Sequence, residues 1–100
     1  MRCGLEQEQL KLINSVLSQN NKIKSVKVFG SRAKGNYRPN SDIDLAIDGE
    51  INDIEAQLIL TQLDELPLPY IFDVKIIRNI NNADLVEHIK RVGISIYEKK

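Results

Sequence analysis

Hydrophobic residues recur every three or four positions in three segments of the chain, a spacing typical of helices with one buried face. The predicted helices cover residues 5–19, Asn52 to about residue 64, and Asn82 to about residue 92. Asn52 and Glu55 form the pattern of a capping box, which marks a helix start. On the buried side of the second helix, the pattern predicts Ile51, Ile54, Leu58 and Leu63.

Four other segments alternate apolar and polar residues or are rich in β-branched residues, which predicts strands. They cover residues 23–29, 42–48, 70–77 and 94–97. A helix connects the second strand to the third, so that pair is expected to be parallel, whereas the short first connection predicts an antiparallel pair. The order α-β-β-α-β-α-β therefore predicts an α+β (α/β) fold, a small mixed sheet with helices packed on one face.

The size and charge of the chain limit what it can do. Its 100 residues are enough for one domain, which we expect to span residues 1–100. Fourteen basic and fourteen acidic side chains give a net charge of zero, so we expect no general attraction to nucleic-acid backbones or anionic membranes. This disfavours a stand-alone template-reading polymerase and any direct sequence-specific binding of nucleic acid.

Sequence features that are absent limit the expected cellular compartment and the kind of metal site. No apolar run reaches the ~18–20 residues of a membrane span, and the N-terminus turns polar at once, unlike a signal peptide. Cys3 is the only cysteine and His88 the only histidine. We therefore expect a reducing cytoplasmic location, no intrachain disulfide and no structural zinc site. Carboxylates would have to hold any metal, which favours a hard ion such as magnesium.

Three aspartates on two predicted strands are the first candidates for chemistry. Asp42 and Asp44 are two residues apart on the second strand, so their side chains should share one face and repel each other unless a cation lies between them. A parallel third strand would bring Asp73 beside this pair. Three such carboxylates can hold two metal ions ~3.5–4 Å apart for in-line attack on phosphorus. The alternative is an exposed acidic strand edge, with Asp73 hydrogen-bonded at a strand end.

A glycine-serine element ends the first strand and provides a candidate phosphate-binding loop. Gly30 permits a sharp turn and close approach by a phosphate, and Ser31 adds a hydroxyl group. Arg32, Lys34 and Arg38 place positive charge nearby, although a solvated basic loop is the alternative interpretation. The glycine and lysine spacing of a P-loop is absent.

The combined pattern resembles the DNA polymerase β-like nucleotidyltransferase superfamily. It consists of Gly30-Ser31, ten residues, Asp42-x-Asp44 and a later Asp73 on a strand. The fuller string Gly-Ser-Arg-Ala-Lys-Gly…Ser-Asp-Ile-Asp-Leu is similar to the smallest members, the minimal nucleotidyltransferase (MNT) proteins. MNT proteins are commonly antitoxins paired with HEPN proteins, helical RNases that act as toxins, and several transfer AMP from ATP to a tyrosine of the toxin.

The resemblance implies a magnesium-dependent nucleotidyltransferase whose substrate is ATP and whose acceptor is a tyrosine hydroxyl of a HEPN-type partner. Asp42 and Asp44 would bind two magnesium ions, and Asp73 would bind the ion that activates the attacking hydroxyl. These three aspartates are thus the predicted catalytic and metal-binding residues.

The resemblance also implies which residues contact ATP. Gly30 and Ser31 would hold the triphosphate, and Arg32 and Lys34 would contact phosphate or the partner. Lys34 stands where the family frequently has arginine. Lys75 is two residues from Asp73, so its charge is expected near the site, in a role that the sequence leaves open.

Two other functions stay open. The chain could be a non-catalytic antitoxin that neutralises a toxin by masking it, or the catalytic subunit of a small-molecule nucleotidyltransferase whose substrate domain is a separate protein. The preferred base, the acceptor and homo-oligomerisation also stay open, because no motif in the sequence specifies them.

Overall fold

Residues 4–35 and 42–99, which the computed structural model describes, form a four-stranded sheet with helices on both sides. The helices are α1 (Gln7–Leu17), α2 (Ser31–Lys34), α3 (Asp53–Asp64) and α4 (Ala83–Val92). The strands are β1 (Ile23–Phe29), β2 (Ile43–Gly49), β3 (Phe72–Ile76) and β4 (Ile94–Glu98), and a 3-10 turn follows β3 at Ile77–Asn79. No helix in these two ranges is long and apolar enough to cross a membrane.

The strands lie in the order β3-β2-β1-β4. β1 is antiparallel to both β2 and β4, and β2 is parallel to β3. The predicted fold class, the order of elements and both predicted strand relationships are therefore confirmed. The parallel pair depends on α3, because a chain that leaves the end of β2 needs a crossover to re-enter the sheet in the same direction.

Helices α1 and α3 cover one face of the sheet and bury the main hydrophobic core against it. The fully buried members of that core include Ile13, Leu17, Val26, Val28, Ile43, Leu45, Ile47 and Leu63. Helix α4 packs on the opposite face, where Ile89 is buried with Phe29 and Ala46. The predicted one-sided arrangement thus holds for α1 and α3 but not for α4, because the small side chain of Ala46 leaves room for a helix on that face.

Asparagine caps set the starts of α3 and α4, as predicted. The Asn52 side chain accepts a hydrogen bond from the Glu55 backbone N–H (2.8 Å), and the Asn52 N–H donates to the Glu55 carboxylate (3.2 Å). That backbone hydrogen bond holds the pKa of Glu55 below its ordinary value, with further lowering by the side chains of Lys22 and Asn20. The Asn82 side chain accepts from two backbone N–H groups in the first turn of α4.

The buried side of α3 differs from the prediction. Leu63 is buried as predicted, but Ile54 and Leu58 are 80% and 58% exposed, and Ile59 is buried in their stead. Ile51 is buried as predicted, but it precedes the cap and therefore does not follow the helical spacing that the sequence pattern assumed for it. Because α3 carries apolar residues on two sides, periodicity alone selects the wrong side at Ile54 and Leu58.

The orientation of α3 predicts opposite outcomes for two leucines of the same helix. Leu63→Ala should lower the free energy of unfolding by about 2–5 kcal/mol, because it leaves a cavity in the core. Leu58→Ala should change it by less than ~0.5 kcal/mol, because the side chain is mostly in solvent. Urea denaturation measures both values, and equal losses in the two variants would contradict this placement of the helix.

Candidate active site

The carboxylates of Asp44 and Asp73 are neighbours on adjacent strands. The parallel register of β2 and β3 pairs Asp44 with Asp73, and neighbouring strands lie ~4.8 Å apart. Asp44 is on the face opposite the main core, because Ile43 and Leu45 on either side of it are buried in that core. The strand register therefore brings these two acidic residues together.

Asp42 adds a third negative charge just before β2. It is exposed, whereas Asp44 is partly buried. Burial raises the pKa of Asp44 above its ordinary value, and the charges of Asp73 and Asp42 raise it further, while Lys75 lowers it. The three aspartates thus share one local field, in which the charged form of Asp44 is disfavoured.

This donor set fits a hard divalent cation such as Mg²⁺. Carboxylates supply oxygen ligands, which Mg²⁺ prefers, and burial together with the charges of Asp73 and Asp42 disfavours the charged form of Asp44 unless a cation is near. In the part of the chain that the structure describes, no three Asp, Glu, His or Cys side chains are already gathered closely enough to hold an ion. A bound cation would therefore have to draw the carboxylates together.

Gly30 brings the end of β1 against the Asp44 carboxylate. Phe29 is the register partner of Asp44, and Gly30 follows it with φ 73° and ψ −148°, a backbone conformation that is essentially restricted to glycine. A Cβ at Gly30 would overlap Oδ2 of Asp44. The glycine is therefore needed both for the turn into α2 and for the close approach of backbone and carboxylate.

Arg32 faces the protein interior. Its residue is 2% exposed, and its guanidinium carbon lies 4.8 Å from the centre of the Tyr70 ring, within the range of a cation–π contact. The Tyr70 hydroxyl in turn donates a hydrogen bond to the Gln9 side chain of α1 (3.4 Å). Sequence reasoning expected Arg32 at a phosphate or partner and missed Tyr70, because no spacing pattern links residues so far apart in the chain.

The other predicted site residues are only partly described. Ser31 begins α2 and Lys34 ends it, but the structure describes their backbone and not their side chains. Arg38 lies outside the described residues. The Lys75 ammonium nitrogen lies 3.8 Å from Oδ2 of Asp73, as the spacing on β3 predicted.

The family model described as "Polymerase beta, Nucleotidyltransferase" matches residues 11–100 of the chain. This range contains Gly30 and all three aspartates of the candidate site. No curated protein matches the chain.

Several solved structures have a similar fold. A toxin-antitoxin structure with AMP-PNP is 22% identical, covers 91% of this chain and 74% of the matched chain, and has a TM-score of 0.75. A structure of a tri-AMPylated HEPN toxin from Shewanella oneidensis in complex with MNT antitoxin is 18% identical and has a TM-score of 0.72. The match covers 95% of this chain and 74% of the matched chain. An MntA-HepT toxin-antitoxin structure is 21% identical and has a TM-score of 0.71, and the match covers 94% of this chain and 74% of the matched chain.

Two glycines on either side of α2 allow a matched test of the Gly30 contact. Gly30→Ala should lower the free energy of unfolding by more than ~2 kcal/mol, because backbone strain of ~1–3 kcal/mol adds to the overlap with Asp44. Gly35→Ala should cost only ~1 kcal/mol, because its positive φ is unfavourable for alanine but its Cβ would meet nothing within 4 Å.

The two variants should also differ in their effect on Asp44. The carboxyl carbon resonance of Asp44, followed by NMR, should shift in Gly30→Ala and stay in place in Gly35→Ala. Equal costs and an unmoved Asp44 resonance in both variants would contradict the contact.

Removing the charge of Asp44 should stabilise the metal-free protein. The pKa of folded Asp44 lies above its ordinary value of 3.8, so the wild type loses stability as the pH rises through the folded-state pKa. Asp44→Asn lacks that loss, so it should melt at a higher temperature than the wild type. The difference should be largest at neutral pH and should shrink towards acidic pH. Thermal unfolding in EDTA measures the difference.

The exposed Asp48, at the far end of β2 on the same face, provides the control. Asp48→Asn should show no advantage of this kind. A wild type that melts at or above the temperature of Asp44→Asn at neutral pH would be evidence against the repulsion.

Proposed function

The chain belongs to the polymerase β nucleotidyltransferase family, and from this premise we propose that it transfers AMP from ATP to a tyrosine hydroxyl of a HEPN-type toxin and so acts as its antitoxin in the cytoplasm. The observation that carries the proposal is the pairing of Asp44 with Asp73 across β2 and β3, next to the Gly30 turn. Binding or masking of a toxin alone would not require repelling carboxylates beside a glycine turn.

Asp42 and Asp44 are the proposed ligands of two Mg²⁺ ions, with Asp73 as a further ligand of one of them. When bound, the ions would neutralise the triphosphate and the charge that develops on the attacking and leaving oxygens. The aspartates supply the oxygen ligands for this chemistry. Their position at one point of the sheet fixes where the α-phosphorus and the acceptor oxygen must meet.

Gly30 gives the triphosphate access to the carboxylates. With no side chain at this position, the backbone at the end of β1 can approach both Asp44 and a phosphate. Ser31 follows as a proposed second contact of the triphosphate, and Lys34 as a proposed source of positive charge. Arg32 supports this loop from inside through its contact with Tyr70.

The reaction at this site is an in-line displacement. The tyrosine oxygen forms a bond to the α-phosphorus of ATP while the bond from that phosphorus to the bridging oxygen breaks, so pyrophosphate leaves with the electron pair. The phenolic proton is released to solvent. Positioning and charge neutralisation, rather than covalent chemistry by the protein, would supply most of the acceleration.

The acceptor and partner are proposed from the similar structures. They include toxin-antitoxin complexes, of which one contains AMP-PNP and another a tri-AMPylated HEPN toxin with MNT antitoxin.

AMP transfer should depend on the paired aspartates. The full chain, incubated with Mg²⁺-ATP and a HEPN-type toxin as the candidate partner, should yield a toxin heavier by one or more AMP groups. Asp44→Asn and Asp73→Asn should slow the transfer by on the order of 100-fold or more, because the ions contribute several kcal/mol to the transition state and ~1.4 kcal/mol is tenfold in rate. Intact-mass spectrometry over time measures the rates.

Asp48→Asn is the matched control, because it removes an exposed carboxylate from the same strand and should leave the rate unchanged. Full activity in Asp44→Asn would refute the proposed metal ligands. Rescue of growth by Asp44→Asn when the toxin is expressed would indicate that the chain neutralises its partner by masking instead.

A further inference from the structure

Lys75 lies among the carboxylates of the candidate site. It is on β3, two residues beyond Asp73 and on the same face, and its register partner on β2 is Ala46. Its ammonium nitrogen is 3.8 Å from Oδ2 of Asp73, and both side chains are about half exposed. Ala46 itself is buried against Ile89 of α4 on this face of the sheet.

The charge of Lys75 also acts on Asp44. Burial, Asp73 and Asp42 all raise the pKa of Asp44, and Lys75 opposes them. Lys75 therefore partly neutralises two of the three carboxylates that would bind metal. In the metal-free protein, the ammonium group thus supplies part of the charge neutralisation that a divalent ion would supply.

An open groove along β3 gives the lysine side chain another place to go. The groove has a volume of about 420 Å³, and Lys75 lines it together with Asp53, Leu60 and Ile80. Its walls combine apolar surface, which suits the aliphatic stem of a lysine, with a carboxylate at Asp53. The side chain can thus withdraw from Asp73 without leaving the surface of the protein.

We infer that Lys75 is a positioning residue that pairs with Asp73 beside the proposed metal site in the metal-free protein, and that it moves aside when a divalent cation binds. This inference rests on the proposed metal-dependent function. Because the Lys75–Asp73 pair is exposed and weak, metal can displace it. The competition sets the metal concentration at which the site fills.

The test measures metal binding to the full-length protein without nucleotide. The probe is Mn²⁺ alone, and the readout is the melting temperature as a function of its concentration at low ionic strength. Lys75→Met should lower the half-saturating Mn²⁺ concentration about two- to fivefold, the factor that corresponds to losing one exposed ion pair. Lys75→Arg keeps the charge and reach, so it should behave like the wild type.

Lys22→Met is the matched control, because it removes another exposed lysine that pairs with a carboxylate, Glu55, at 3.2 Å. It should leave the Mn²⁺ dependence unchanged. A half-saturating concentration in Lys75→Met that is unchanged or higher would overturn the inference while leaving the metal site intact. If Mn²⁺ raises the melting temperature of no variant, wild type included, the proposed metal site fails and the inference fails with it.

A second measurement, in EDTA, does not involve metal at all. The Lys75→Met variant should melt at a lower temperature than the wild type, because Asp73 loses its cationic partner. In an Asp73→Asn background the same substitution should have a much smaller effect, because the lysine acts through that carboxylate. Equal effects in the two backgrounds would overturn the role assigned to Asp73.

Discussion

The parallel register of β2 and β3 forces two carboxylates into neighbouring positions on one face of the sheet, although their charges repel. The opposite face of β2 holds them there. Ile43, Leu45 and Ile47 are fully buried, and each contributes about 1.5–3 kcal/mol through burial, which together exceeds the cost of a repulsion between partly exposed charges. A shift of one residue in the register would expose all three.

The surroundings of the aspartates fit this constraint. Gly30 has no side chain, so the end of β1 can lie against Asp44 without displacing it. Ala46 is small, so Ile89 of α4 can close the far side of the face. Lys75 supplies positive charge from the outer strand. Of these features, only Lys75 offsets the negative charge, whereas Gly30 and Ala46 make room for the backbone and the helix around it.

Local sequence signals predicted those parts of the structure that depend on local interactions. The caps at Asn52 and Asn82 involve side chains and backbone groups within three residues, so their patterns could be recognised directly. The position of Asp44 beside Asp73 followed from strand direction alone. The buried side of α3 was predicted at Leu63 but not elsewhere, because Ile54 and Leu58 are as apolar as Ile59, and only the packing against β3 distinguishes them.

The contact between Arg32 and Tyr70 has a mechanical consequence. Arg32 lies two residues after the Gly30 turn, and Tyr70 lies two residues before the strand that carries Asp73. The stacked pair therefore links the loop on one side of the carboxylates to the strand on the other, by a route that does not pass through β2. A displacement of the loop relative to that strand would therefore have to break or stretch this contact.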